Sequence, residues 1–563
     1  MIELNDGWLT WDAIDSGVMF SIVGEGAIEK GQTRFNPSIL LAAHKKGIPL
    51  STKCSLQLEQ ARLDHAFLRQ ARRRKDARVP NYPLQDKMFT HQRVALSFME
   101  AGARPGYLLA DSPGVGKTAV AIAWADLISA VRIMVITPNS AKYQWRREIR
   151  RFDSDRKRRR RVQIVDGTLK EQIATIHSTI DDGGWCVGHW QSLSNARFDK
   201  QMNWWFDEVG QAYLETTWDL IILDEAHALR NRKTIQYDIV SKLEAKYRLA
   251  LTGHPYVNDP TELYGILAFL YPERYTSFWR YADQHIAMLP RHFGGYDVIG
   301  LKNPKLLRWE IGPFTIRRTK QQVFKDLPPI TRTPREVDLP PAHRKEYQRL
   351  QNDLIVELEG VNDQVSVLTL PNVLARVTRL RQYVVDPGML GGRKKSVKYP
   401  VVAELLEELD KPPVIFTSFR KAAFGLQEFL GEGYAVIRGG QKTKDRERIR
   451  KNFLKRKYKG LIVVTQAGGT ALNYGKYGYV IFLDLPWSAM ELEQAEGRVD
   501  RPEEGTGKLV PTTSHIITVR GTYETNMGEL VMNKATMFTQ LFAGEIPRLS
   551  RTELLEVLSD SDA

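Results

Sequence analysis

Cysteine is scarce. Cys54 and Cys186 are the only two in 563 residues, too few for a disulfide framework or for a zinc site built on several thiolates. A reducing intracellular setting is expected. Long apolar runs are missing too, with none near the ~20 residues that a membrane helix needs. The opening stretch "MIELNDGWLTWDAIDSG" has acids where a secretory leader needs a basic start and an apolar core, so a soluble protein is expected. No internal repeat or low-complexity tract stands out. Acidic residues are in deficit, 66 against 81 Lys and Arg, leaving a net charge of +15. That balance favours a polyanionic partner and argues for association rather than for a particular chemistry.

Hydrophobic residues make up 42% of the chain, enough at ordinary domain sizes for about two to four domains. Two basic runs mark composition shifts. "RQARRRKDAR", Arg69 to Arg78, precedes the proline-containing "VPNYPLQ", which reads as a boundary. "RKRRRR", Arg156 to Arg161, sits before the strand-like "VQIV". Each reads equally as an import or nucleic-acid patch and as a solvated face.

From Tyr107 short apolar runs alternate with helical patterns: "YLLA", "TAVAIAWADLISA", "RIMVIT", "AKYQWRREIRRF". This βαβα order predicts a parallel sheet covered by helices. The alternation resumes at "PPVIFTS" and runs through "FGLQEFL", "YAVIR", "LIVVT" and "YVIFLDL". Two α/β units thus flank a region from Leu327 to about Tyr399, whose prolines read as a linker into helical structure.

Within "YLLADSPGVGKTAVAIAWA" a strand, a glycine-containing loop and a helix follow one another, the setting of a phosphate-binding loop. Gly114 and Gly116 flank Val115 and free the backbone to converge on phosphate oxygens. Lys117 would reach the terminal phosphates and the Thr118 hydroxyl would bind Mg²⁺. Asp111 stands where the GxxxxGK[ST] pattern has its first glycine. Downstream, "WDLIILDEAHALRN" puts Asp224 and Glu225 at the end of an apolar run, where a parallel sheet presents its ligands. Asp224 can hold the Mg²⁺, and Glu225 can deprotonate the water that attacks the γ-phosphate. In "ELEQAEGRVDRPEEG", Arg498 and Arg501 are three apart and are expected on one helix face. Alone they read as surface ion-pair formers; beside a nucleotide site they suit the developing phosphoryl charge.

From Phe89 to about Gly505 these elements stand in one order, and the chain resembles superfamily 2 helicase-type ATPases with a DEAH box. It is most similar to the Swi/Snf family of double-stranded DNA translocases, in a compact bacterial or viral form. "FTHQRVALSFM" resembles the family's adenine-reading segment and implies that Gln92 lies on the base edge. The family's loop has Asp where Asp111 stands, while Ser112 replaces its usual Glu. "VITPNSAKYQWRREIRRF" matches with Pro138, Trp145 and Glu148 in place; "LALTGHPYVNDPTELYGILAFLYP" resembles the coupling motif, with His254 where Thr is usual. "FTIRRTKQQVFKDLP" matches the segment that distinguishes Swi/Snf motors.

The resemblance further implies that His227, Thr252 and Trp145 couple the ATP site to DNA, that Thr465, Gly468 and Gly469 lie where DNA and ATP meet, and that Trp487 lies near the DNA. Gln494, Arg498 and Arg501 fall on the motif that completes the ATP site, although "RPEEG" departs from the family's sequel.

The expected fold is α/β: two RecA-like parallel-sheet lobes with helical insertions and a small N-terminal α+β region. The expected division is an N-terminal region over 1–80, an ATP-binding lobe over 81–326, a linker and helical protrusion over 327–400, and a C-terminal lobe over 401–563. Residues 1–80 suit a targeting domain or a cap on the first lobe. The function expected is an ATP-dependent duplex-DNA translocase that uses ATP and Mg²⁺ and remodels DNA or DNA-bound proteins. The alternatives are a strand-separating or annealing helicase at branched DNA, and a DNA-binding scaffold whose ATPase has lapsed. Intact Lys117, Asp224, Glu225 and Arg498 stand against the scaffold. No membrane partner is expected, a monomer is favoured, and the setting is the cytoplasm of a bacterial or virus-infected cell, or the nucleus of a eukaryote.

Overall fold

The computed structural model describes residues 2–5, 8–11, 32–34, 37–74, 76–154, 160–194, 196–198, 204–255, 260–290, 296–302, 304–324, 329–359, 371–392, 394–465, 473–486, 489–501 and 510–525. The chain forms two compact units that divide after Val323.

The first unit begins with a three-stranded antiparallel sheet, β1 (Ile2–Asn5), β2 (Trp8–Trp11) and β3 (Gln32–Arg34). Ile2, Leu4 and Leu9 bury against Ile39 and Leu40 of the helix Pro37–Lys45 and against Cys54 and Leu58 of the helix Thr52–Arg73. Ser51 starts that second helix by accepting a hydrogen bond from the Cys54 amide, which satisfies one of the end's orphan donors. Trp309 packs on this small core, and its ring stacks on His65 at 4.3 Å. The described part of the N-terminal region therefore caps the lobe that follows it.

That lobe is built on seven parallel strands: β4 (Gly106–Leu109), β5 (Arg132–Thr137), β6 (Val162–Ile164), β7 (Gly184–His189), β8 (Thr217–Asp224), β9 (Glu244–Leu251), and, after a two-stranded ribbon of β10 (Ile286–Pro290) and β11 (Tyr296–Leu301), the short β12 (Thr315–Ile316). Their order across the sheet is β12-β4-β9-β8-β5-β7-β6. Central β8 is buried from Trp218 to Leu223 without a break, as a strand covered by helices on both faces requires.

The second unit has a six-stranded parallel sheet. Its strands are β13 (Thr331–Val337), β14 (Val414–Thr417), β15 (Tyr434–Ile437), β16 (Gly460–Val464), β17 (Tyr479–Phe482) and β18 (Thr513–Val519), in the order β13-β18-β17-β14-β16-β15. Alternate residues serve opposite faces. Val414, Phe416, Val480 and Phe482 meet Tyr347, Leu380 and Phe453, while Ile415, Ile481 and Ile517 meet Val402, Ala422 and Leu426. Strand β13 lies where the prolines led to an expected linker. Pro334 is tolerated because β13 is an edge strand, where a missing amide donor need not break a ladder. The helices Pro341–Glu359 and Pro371–Val385 put Tyr347, Leu380 and Tyr383 into the same core.

Among the described residues no helix is long and apolar enough to cross a membrane. Both cysteines are buried and unbridged.

A buried ion pair closes the second unit. The Lys398 ammonium donates to both carboxylate oxygens of Glu524 (2.7 Å each) and to the carbonyls of Leu483 (2.9 Å) and Ile517 (3.0 Å), with both side chains fully buried. Removing one partner strands a charge. Lys398→Met should cost about 3–5 kcal/mol in denaturant unfolding of this unit, and Lys398→Met with Glu524→Leu should recover most of it.

Candidate nucleotide site

Parallel register builds the site. Across the sheet Leu109 of β4 pairs with Leu251 of β9, Leu251 pairs with Asp224 of β8, and Leu223 pairs with Ile136 of β5. On the other side of β4, Ile316 of β12 pairs with Leu109. The carboxyl ends therefore fall on one rim, which carries Arg317 and Arg318, the loop after Leu109, Thr252, Asp224 with Glu225, and Thr137.

The loop from Ala110 to Gly116 leads into the helix Lys117–Leu127. Gly114 (φ 84°) and Gly116 (φ 89°) take the left-handed conformation, which for other residues costs about 1–2 kcal/mol. Lys117 Nζ rests on the carbonyls of Asp111 (2.7 Å) and Ser112 (3.3 Å). Charged phosphate oxygens are stronger acceptors than these carbonyls and would draw the ammonium away. Thr118 lies half-buried one residue further on. Val115 is buried, and its carbonyl accepts from His91 Nε2 at 2.8 Å. Burial lowers the His91 pKa, so the neutral ring is the donor.

Gln92 lies directly against the phosphate loop. It is 4% exposed, its Oε1 accepts from the Phe89 amide (2.9 Å), and its Nε2 donates to the Gly116 carbonyl (3.2 Å). Gln92 is the third residue of the helix Thr90–Gly102, and its side chain satisfies the amide of the N-cap Phe89, the half of a capping box that a phenylalanine cap allows. It braces the loop from beneath.

Asp111 has a partner 207 residues away. Arg318 Nε and Nη2 donate to its two carboxylate oxygens (3.1 and 2.5 Å), and Arg318 Nη1 donates to the His91 carbonyl (2.7 Å). The backbones join as well, Ala110 N to Ile316 O (2.7 Å) and Ser112 N to Arg318 O (3.0 Å). A first glycine at position 111 could not make this bidentate pair. The "RRTK" segment thus locks the phosphate loop, a role that no local spacing announces.

At the end of β8, Asp224 Oδ2 accepts from Thr137 Oγ1 and Trp145 Nε1, both at 2.8 Å, and Trp190 Nε1 donates to the Asp224 carbonyl (2.9 Å). Trp145 is 1% exposed. Its indole N–H therefore positions the acid from within the core. Burial, and next the charge of Glu225, hold the Asp224 carboxyl above the usual range. Glu225 takes φ 53°, a strained value for a side-chain-bearing residue. His227 Nδ1 lies 3.3 Å from Glu225 Oε2 and 3.3 Å from Thr252 Oγ1, and that hydroxyl donates to the His254 carbonyl (3.0 Å). The expected coupling pair is thereby in contact with the expected general base. Gly253 lies under the loop: an added Cβ would sit 2.8 Å from Pro113 Cδ.

Thr118 and Asp224 suit a divalent cation. Two adjacent acids, one of them desolvated, leave negative charge that a dication would balance, and Mg²⁺ commonly takes one or two carboxylates with the remainder from phosphates and water. No cluster of three or more acidic, His or Cys ligands occurs among the described residues.

In the second unit Arg498 is buried near the end of the helix Ala489–Val499, and Gln494 is half-buried on it. Arg501 does not share the helix face expected for it. The helix stops at Val499, the Arg501 amide donates to the Val499 carbonyl, and its Nε donates to the Gly497 carbonyl (2.5 Å). Pro502 follows, and a residue before proline is pushed out of helical conformation. Thr465 Oγ1 lies 3.4 Å from the Thr417 carbonyl at the end of β14. Gly468, Gly469, Trp487 and the "RPEEG" sequel from Pro502 lie outside the described residues. The basic run before β6 is partly structural: Arg160 is buried and pairs with Asp126 and with Asp153.

Two parallel α/β units with this rim define an ATPase of the helicase type. The SNF2-related domain matches residues 91–389, and the helicase conserved C-terminal domain matches residues 397–503. The chain belongs to the SNF2-related family. It is 24% identical over 488 residues to the DNA annealing helicase and endonuclease ZRANB3 of Bos taurus, covering 84% of this chain and 42% of that protein. It is 26% identical over 469 residues to the uncharacterized ATP-dependent helicase YqhH of Bacillus subtilis, covering 78% of this chain and 76% of that one. The Sulfolobus solfataricus SWI2/SNF2 ATPase core in complex with dsDNA aligns over 83% of this chain and 93% of its own at 22% identity, with a TM-score of 0.36. The chain spans less than half the length of the annealing helicase that it matches.

Arg318→Lys keeps the charge but loses the fork. It should weaken binding of a fluorescent ATP analogue by about tenfold, the scale of one charge-assisted hydrogen bond; unchanged affinity would show that the pair does not hold the loop. Glu225→Gln should bind the analogue yet lose about 100-fold or more in turnover, as loss of a general base does. It should also raise the nucleotide-free thermal midpoint at neutral pH. A folded-state pKa above the unfolded value means that ionised Asp224 weakens the fold as pH rises through it, so the gain should shrink toward acid pH.

Proposed function

We propose that the protein is an ATP-dependent double-stranded DNA translocase that remodels DNA or strips proteins from it. The observation that carries this reading is the contact chain Glu225, His227, Thr252, His254, which joins the expected general base to the segment resembling the family's coupling motif. Such a chain gives hydrolysis a route to a nucleic-acid grip.

In this reading Lys117 binds the terminal phosphates and Glu225 takes the proton of the attacking water. Thr118 and Asp224 hold Mg²⁺, which supplies charge neutralisation to the phosphoryl group in flight. Arg498 and Arg501 add positive charge to the same group. Trp145 and Thr137 keep Asp224 aimed, and Arg318 keeps the loop shaped. Movement along DNA needs phosphate contacts more than base reading, which suits a chain of net charge +15.

A second reading, annealing or separation of strands at branched DNA, is favoured by the similarity to an annealing helicase. Lapsed catalysis is the poorer reading because each element of the first-unit rim is present.

ATP turnover should rise severalfold with blunt duplex DNA, less with single strands, and not with RNA alone. Lys117→Ala and Arg498→Ala should each cut the stimulated rate about 100-fold or more, as loss of a group that stabilises transition-state charge does. Stimulation by RNA alone, or full turnover in both variants, would overturn the reading. Displacement of a triplex strand without unwinding of a fork would separate translocation from strand separation.

A further inference from the structure

The helix Phe278–His285 and the ribbon of β10 and β11 that follows it bring two exposed aromatic rings together, and the ATP chemistry makes no use of them. Trp279 is 54% exposed and Tyr296 is 49% exposed, with ring centroids 5.6 Å apart at 61°. Cross-strand register puts Tyr296 opposite Pro290 and Asp297 opposite Leu289. Successive strand residues face opposite ways, so Leu289, 58% exposed, lies on the other face of the ribbon. Apolar surface on both faces is not how a two-stranded ribbon closes a core.

The base under this surface is rigid. Phe278 lies 5.3 Å from Trp279 and is gripped from below by Arg232, whose guanidinium carbon sits 3.3 Å over the ring, and by Tyr264 at 5.5 Å. Tyr281, Ala282 and His285 bury the opposite face of the helix Phe278–His285. His285 Nε2 lies 3.2 Å from Glu310 Oε2, and Arg274 (3.2 Å) and the Tyr275 hydroxyl (2.6 Å) hold Glu310 Oε1. Trp279 therefore stands on an anchored helix, with Tyr296 on the strand beside it.

Two cations adjoin this surface. Arg280 follows Trp279, and Lys302 follows β11 and donates to the carbonyl of Asp283, one turn along the helix from Trp279 (2.7 Å). Solvent-facing rings with adjoining cations are the chemistry that takes unpaired nucleotides: bases stack on the rings and phosphates meet the cations. A paired base inside a duplex offers no free face, so the surface selects for the unpaired bases of a branch.

We propose that Trp279 and Tyr296 form a stacking ledge for an unpaired base at a DNA branch, with Arg280 and Lys302 taking the adjoining phosphates. This rests on the DNA-motor reading and adds to it a device for choosing branched over plain duplex DNA.

The test uses the full chain and two DNAs of matched sequence, a fork with 2-aminopurine at the first unpaired position and a blunt duplex. The wild type should bind the fork about tenfold more tightly, the size of a single stacked base, with a change in 2-aminopurine fluorescence. Trp279→Ala with Tyr296→Ala should reduce the preference to within about twofold of none, while duplex affinity and duplex-stimulated turnover stay at wild-type levels. Trp279→Phe with Tyr296→Phe should restore it. A wild type without fork preference, a preference that survives the alanine pair, or equal loss of fork and duplex binding would each overturn the proposal. If duplex fails to stimulate turnover but fork preference follows the rings, the motor reading falls and the ledge stands.

Discussion

The registered parallel alignment of β12, β4, β9, β8 and β5 is the constraint on which the first unit's chemistry depends. Leu109, Leu251 and Asp224 lie in one row of cross-strand partners, so the residues that follow each strand emerge side by side. A slip of one residue in β8 would send Asp224 to the opposite face and separate it from Thr137 and Trp145. Near-continuous burial of β8 on both faces resists that slip through packing rather than through alternation.

Tertiary partners then refine what the register places. Arg318 and Asp111 act between segments far apart in sequence, and the backbone bonds of β12 to the loop make the same connection by a second route. Trp145 and Trp190 approach Asp224 from different elements, one at the carboxylate and one at the carbonyl. The acid is held from two sides before any ligand arrives.

Much of this was legible in the residues. The alternation of short apolar runs with helical patterns located β4, β5 and the strands from β14 to β17, and the glycines and Lys117 located the loop. What escaped did so for physical reasons. Prolines at 329, 334 and 340 argued for a linker, yet β13 sits at a sheet edge, where proline does little harm. Arg501 was placed on a helix by its spacing from Arg498, whereas Pro502 ends the helix first. The partnership of Arg318 with Asp111 left no trace in either segment alone, because a bidentate pair between distant residues has no period or spacing to detect.

The buried side of Arg160 has a consequence for how the protein's charge is felt in solution. Its guanidinium is neutralised by Asp126 and Asp153, and Arg318, Arg332, Arg381 and Arg274 are likewise bonded to carboxylates within the fold. Such arginines displace no counterions from a polyanion. The steepness with which binding to a polyanion falls as salt is raised counts only the cations that meet phosphates, so the ionic-strength response reports fewer cations than the 81 Lys and Arg of the sequence.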